Sequence, residues 1–234
     1  MTMIVRENSG AVKLDGLYTV REAMRFLQID SEAKVRRWLV GTDQTPAVID
    51  RQYKFEKGIQ EVGFYDLMEI RFIEYFRKKG ISLQSIRKAA SAARLALDTD
   101  HPFALSNVKF VTDRKRIFMQ TAREENDIKL LTLTTGQYAM YDVFEKFLAV
   151  GVEFAPTTGL VKFWKPDPKT FPAVVLSPRI ARGQPSIEHV GVPTSAIFSL
   201  WLAEGQNDEK VANWFNVTAD HLQQAVQFEL GLPA

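Results

Sequence analysis

The stretch from Tyr18 to Gly41 constrains this chain more than any other. Thr19 followed three residues later by Glu22 is a capping box, so a helix begins there. Val20, Ala23, Met24 and Leu27 then fall at i, i+3, i+4 and i+7, which makes one buried stripe. Ser31 caps a second helix and Gly41 ends it. Val35, Trp38 and Leu39 share the inner face of that second helix. At about 100° per residue, Ala33 and Arg37 point the opposite way, with Lys34 and Arg36 on the flanks. A charged helix face by itself is usually solvated surface. Two short helices joined by a tight turn, the second of them basic, instead fit the arrangement that seats a helix in a DNA major groove.

Segments 47–49, 52–55 and 61–64 read as short strands, with turns at Asp50-Arg51 and Lys57-Gly58. A ribbon of this kind beside a helix-turn-helix is a wing, from which Arg51, Lys54 and Lys57 would reach the phosphate backbone. Two further helices follow, one over 65–79 that stops at Gly80 and one after Ser82 with Ile86, Ala90, Ala93 and Leu97 on one face. Arg87 lies near the start of the latter, within reach of the same duplex.

The middle changes period. Segments 108–111, 116–120 and 129–133 read as strands, with Asp113-Arg114-Lys115 as a turn. A helix over 137–150 carries Tyr138, Tyr141, Phe144, Phe147 and Leu148, aromatic content of the kind that fills a core. A hairpin around Thr157-Thr158-Gly159 and a short strand over 173–176 follow. The last third is helical again, with helices starting at Thr194, Asn207 and Thr218. The final two have helix-turn-helix spacing. The second of them offers Asp220, His221, Gln223, Gln224 and Glu229 without any Lys or Arg, and neutralising phosphates needs cations. It reads as a packing or protein-contact module. The expected fold class is α+β, mainly α. Its parts are a winged helix-turn-helix over 1–104, a small β-rich middle domain over 105–176 and a helical domain over 177–234.

Charge distribution supports the amino-terminal reading. Residues 1–100 carry 17 Lys/Arg against 14 Asp/Glu, and the remainder 13 against 14. The chain has no cysteine, which excludes disulfides, thiolate zinc sites and cysteine nucleophiles. Its three histidines are isolated and form no ligand spacing, so no metal or other cofactor is expected. Neither a glycine-rich phosphate loop nor a Gly-x-Ser-x-Gly elbow occurs, and no catalytic residues are assigned. No apolar run approaches about 18 residues, the amino terminus lacks the pattern of a secretion signal, and a cytoplasmic location without membrane contact is expected.

Two family patterns meet in this chain. Tyr18 to Ala23, Val35 to Leu39, the wing and the run from Phe64 to Ala104 resemble the MerR-like winged helix. The carboxyl-terminal third resembles the small helical family known as domain of unknown function 433. The matching runs are Val175-Leu176-Ser177-Pro178-Arg179, Gly183-Gln184-Pro185 and Gly191-Val192-Pro193-Thr194-Ser195. They continue in Trp201-Leu202-Ala203-Glu204-Gly205 and Val211 to Val217. Members commonly show an aromatic-Gly-Arg/Lys-Pro run where this chain has Ala181-Arg182-Gly183-Gln184-Pro185. Sensor-type MerR proteins add a long dimerising coiled coil and metal-binding cysteines, and neither follows residue 97 here.

Together the patterns resemble long VapB-type antitoxins. The resemblance implies a PIN-like ribonuclease toxin as partner and a homodimer that represses its own operon. On that reading Ala33, Lys34, Arg36 and Arg37 enter the major groove of operator DNA, while Arg51, Lys54 and Lys57 hold phosphates. Phe163, Trp164, Trp201 and Trp214 are the candidate anchors for the toxin, because interface energy concentrates in such side chains. The alternatives are a transcription regulator without a toxin, responding to a small ligand in the aromatic middle domain, and a metal-dependent nuclease.

Overall fold

A computed structural model describes residues 16–53, 61–105, 108–135 and 150–233. Strand β1 (Leu17–Thr19) runs antiparallel to β2 (Glu61–Gly63), with Tyr18 opposite Val62. Thr19 ends β1 and caps α1 (Val20–Leu27). Its Oγ1 accepts the Glu22 N–H at 3.1 Å, and the Glu22 carboxylate accepts the Thr19 N–H at 2.7 Å. The left-handed Gln28 (φ 52°) closes α1, and Ser31 caps α2 (Glu32–Val40).

After α2 the chain departs from the expected ribbon. Residues 47–49 form no strand. The N–H groups of Val48 and Ile49 both donate to the Trp38 carbonyl, at 2.9 and 3.1 Å, and their side chains are buried. The segment therefore satisfies an orphan carbonyl at the end of α2 instead of joining a ladder. Gln52 and Tyr53 are likewise not in a strand, while 61–63 is one, paired with β1. Lys54 and Lys57 lie outside the described residues.

Helices α3 (Phe64–Lys78) and α4 (Leu83–Leu97) run through the middle of the first core. Phe72 stacks on Phe76 at 4.4 Å and on Phe103 at 4.0 Å between ring centroids, and Phe118 stacks on Phe76 at 5.4 Å. The expected strands at 108–111, 116–120 and 129–133 are instead two helices, α5 (Val108–Glu124) and α6 (Ile128–Thr135). Ile117, Phe118, Thr121 and Ala122 are buried, which is helical spacing. Short alternating apolar runs look like strands in a narrow window, and burial against Phe72 and Phe76 decides otherwise. The expected helix over 137–150 falls outside the described residues except for Val150.

The expected hairpin forms from β3 (Val152–Phe154) and β4 (Val161–Trp164). Trp164 exchanges two backbone hydrogen bonds of 2.8 Å with Leu176, which ties β4 to the next segment. There β5 (Val174–Val175), β6 (Ser186–Ile187) and β7 (Val192–Pro193) make a three-stranded antiparallel sheet. Helices α7 (Thr194–Ala203), α8 (Asp208–Phe215) and α9 (Ala219–Gly231) complete a second core around Val174, Ile187, Ile197, Val211, Leu222 and Val226. Thr218 caps α9 as its sequence suggests. Thr194 is the first residue of α7, and its hydroxyl donates to the Glu229 carboxylate at 2.5 Å. The architecture is α+β and mainly helical, with small antiparallel sheets. Among the described residues no helix is long and apolar enough to cross a membrane.

The two cores are joined by polar contacts as well as by Leu176. The buried Tyr18 hydroxyl donates to the Gly183 carbonyl at 2.7 Å, Gln184 Nε2 donates to Glu22 Oε1 at 3.2 Å, and Arg25 Nε donates to the Pro233 carbonyl at 2.9 Å. The docking turn has three successive left-handed residues, Ala181, Arg182 and Gly183, at φ 44°, 54° and 87°.

Candidate nucleic-acid interface

The inner residues of α2 anchor it, since Val35, Trp38 and Leu39 are all buried. Its outer residues differ in how far they are committed. Ala33 and Arg37 are exposed, on the face the helical period assigns them. Arg36 lies along the helix, with its guanidinium on Glu32 Oε1 at 2.5 and 2.7 Å, a pair open to solvent and therefore easily exchanged for another anion. Lys34 turns inward. Its ammonium sits 2.5 Å from Glu74 Oε2 on α3 and 5.3 Å from the centre of the Trp38 ring.

Arg37 has a cationic neighbour. Burial first, and the charge of Arg37 second, hold the Arg87 guanidinium below its ordinary pKa. Arg87 is fixed by donating from Nε to the Pro46 carbonyl at 2.9 Å. Arg87, near the start of α4, thus lies within electrostatic range of the exposed Arg37 on α2. Arg94, further along α4, instead donates to the carbonyls of Val48 and Asp100 and braces the chain that follows α2.

Arg51 lies apart in its chemistry, in a polar hollow with Asp50, Gln52, Tyr65, Asp100 and His101. Behind that hollow, burial raises the Asp66 carboxyl to about 6, against the lowering effect of N–H groups from Gly63 and Gln52 and of the Arg51 charge. Burial also lowers the His101 imidazole to about 4. His101 Nδ1 lies 3.8 Å from Asp66 Oδ1.

The four candidate anchors separate into two places. Phe163 is half-buried on β4, with the ammonium groups of Lys162 and Lys165 over its ring at 5.5 and 5.7 Å. Trp164 beside it is 4% exposed and belongs to the first core, so it presents no face to a partner surface. Trp201 and Trp214 belong to the helical domain. The Trp201 indole donates to Asp208 Oδ1 at 2.7 Å and stacks on Phe198, whereas Trp214 is 73% exposed. Asp208 also accepts from Gln223, and Gln224 is bonded to Asp220 and to the Ala173 N–H. The polar residues of α9 are largely engaged within their own domain.

Sequence reasoning overlooked Glu74, which decides where Lys34 points. The signal is present: Leu67, Ile70 and Glu74 lie on one face of α3, so a carboxylate occupies an apolar position and requires a cation. Among the described residues no group of three or more His, Asp or Glu side chains could hold a metal ion.

No curated protein matches the chain. Among solved structures, the crystal structure of Rv2018 from Mycobacterium tuberculosis is similar at 25% identity and a TM-score of 0.67. The likeness covers 89% of this chain and 96% of that one. It therefore takes in the first core as well as the second. Residues 174–228 match the family model described as protein of unknown function (DUF433). Those limits run from the first residue of β5 into the last turns of α9 and enclose the second core, so the carboxyl-terminal unit of this chain is a DUF433 domain.

Proposed function

We propose that this protein is the antitoxin of a type II toxin–antitoxin pair. It binds operator DNA through α2 as a dimer and neutralises a PIN-like ribonuclease toxin through its later domains. The observation that carries the reading is the exposed Arg37 on the outer face of α2, opposite the buried Val35, Trp38 and Leu39. The helix is capped by Ser31 and follows the tight turn at Gln28, and Arg87 on α4 lies within electrostatic range of Arg37. Arginine suits both guanine edges and phosphates. The MerR-like resemblance of residues 18–104 supplies the docking geometry, and a cytoplasmic location follows from a DNA target. The exposed Trp214 and Leu202 of the DUF433 domain, with Leu230 exposed just beyond it on α9, support a protein contact there.

The test has two arms. DNA from upstream of the gene is titrated with purified protein at several salt concentrations. Contacts to roughly 6 phosphates give log K a slope near −5 against log salt, and Arg37→Ala loses about 1–3 kcal/mol. An affinity and footprint unchanged by that substitution would remove Arg37 from the reading surface. In the second arm the product of the adjacent gene is co-expressed with a tagged copy of this chain. A neighbour that never co-purifies, and whose toxicity the chain does not relieve, ends the antitoxin assignment.

A further inference from the structure

The turn that fastens the two cores holds an arginine in a strained position. Ala181 and Arg182 are both in the left-handed region, at φ 44° and 54°, where a residue with a Cβ is kept only at a cost in free energy. Gly183 follows at φ 87°, which glycine adopts freely. The fastening itself uses the neighbours of Arg182. The Gly183 carbonyl accepts the Tyr18 hydroxyl at 2.7 Å, and Gln184 Nε2 donates to Glu22 Oε1 at 3.2 Å. The Arg182 side chain takes no part in it. It is exposed, and among the described residues its guanidinium makes neither an ion pair nor a hydrogen bond. Arg179 in the same turn and Arg21 in the first turn of α1 are also exposed and form no ion pair among the described residues. Glu22, the carboxylate at this joint, is occupied, because its two oxygens accept from Thr19 and from Gln184.

We propose that Arg182 holds a phosphate of the operator backbone, so that the DUF433 domain extends the DNA interface beyond the helix-turn-helix. The proposal rests on the DNA reading of α2. In a helix-turn-helix the second helix lies in the groove while the first crosses the phosphate backbone. Here the first helix is α1, and residues 183 and 184 are bonded to Tyr18 and Glu22 at its amino-terminal end. Arg182 is thereby delivered to the helix that the backbone passes. The approach is close, since a Cβ on Gly183 would lie 2.9 Å from Gly16 Cα. A guanidinium suits phosphate oxygens through charge-assisted hydrogen bonds. A glycine at position 182 would make the same turn without the conformational cost. What it would lack is the cation, and strain kept at a residue with no internal partner fits a partner outside the chain.

Ala181→Gly and Arg182→Gly separate the shape of the turn from its charge. Both relax a left-handed position, and both are expected to keep or raise the urea midpoint of wild type. Only the second removes a cation. DNA from upstream of the gene is titrated with the full chain at several salt concentrations. Ala181→Gly is expected to bind like wild type. Arg182→Gly is expected to lose roughly tenfold in affinity at low salt, by a similar factor on an unrelated duplex, with the salt slope reduced by about 1. Should Arg182→Gly fold poorly, Arg182→Asn takes its place, because asparagine tolerates the left-handed region and carries no charge. Unchanged affinity and slope in the Arg182 variants, or an equal loss in Ala181→Gly, overturns the proposal. Arg37→Ala is measured beside them. A loss there with none at Arg182 sinks the phosphate contact alone, whereas a wild-type protein that binds no DNA removes the DNA reading and the contact together.

Discussion

Single residues in this chain do their work through buried charge. Glu74 decides the direction of Lys34, and the pair Asp66 and His101 sits behind the polar hollow that holds Arg51. Asp66, raised to about 6 from an ordinary 3.8, contributes stability below the unfolded value that is lost as pH rises through 6. His101, lowered to about 4 from an ordinary 6.5, contributes stability above 6.5 that is lost as pH falls through 4. The two trends oppose each other between pH 4 and 6.5. Replacing His101 by Gln removes one of them. Urea denaturation should show the variant gaining about 3 kcal/mol relative to wild type between pH 7 and pH 4. A difference between the two proteins that does not change with pH would show that His101 titrates normally. At this scale the sequence was only half legible. The exposed Arg37 follows from helical period alone, whereas Lys34 and Glu74 meet across two helices that are distant in the chain.

At the scale of elements, local signals that involve one helix or one turn read cleanly. The capping box at Thr19 and Glu22, the caps at Ser31 and Thr218, and the hairpin of β3 and β4 all form where the residues place them. Elements whose state is set by a distant partner did not read correctly. Val48 and Ile49 have the composition of a strand, yet they serve the end of α2. Segment 116–120 alternates like a strand, yet Phe118 joins the aromatic stack of Phe72, Phe76 and Phe103 as part of α5. Phe118→Ala should therefore cost about 3–5 kcal/mol, the range for a fully buried aromatic side chain. Leu95→Ala, at a site 86% exposed on α4, should change stability by less than about 0.5 kcal/mol. Comparable losses in the two variants by chemical denaturation would contradict the burial of α5 in the first core.

The whole molecule is two cores fastened together, the second being the DUF433 domain. Tyr18→Phe removes the hydroxyl that meets the Gly183 carbonyl and should cost about 1–3 kcal/mol, because a buried acceptor loses its donor. Amide exchange should then quicken across residues 174–231 more than across α3 and α4. Equal protection in both regions would mean that this bond does not fasten the domain. Such long-range fastening was not legible in sequence, since Tyr18 and Gly183 are 165 positions apart.

Gly183 sets the tolerance of that joint. A Cβ at this position would lie 2.3 Å from Tyr18 Oη and 2.9 Å from Gly16 Cα, and the residue already has φ 87°. Even alanine there acts as a shim driven into a closed hinge. Each half keeps its own interior, yet the halves no longer seat against one another, so one added methyl group is enough to unseat the carboxyl-terminal domain from the first core.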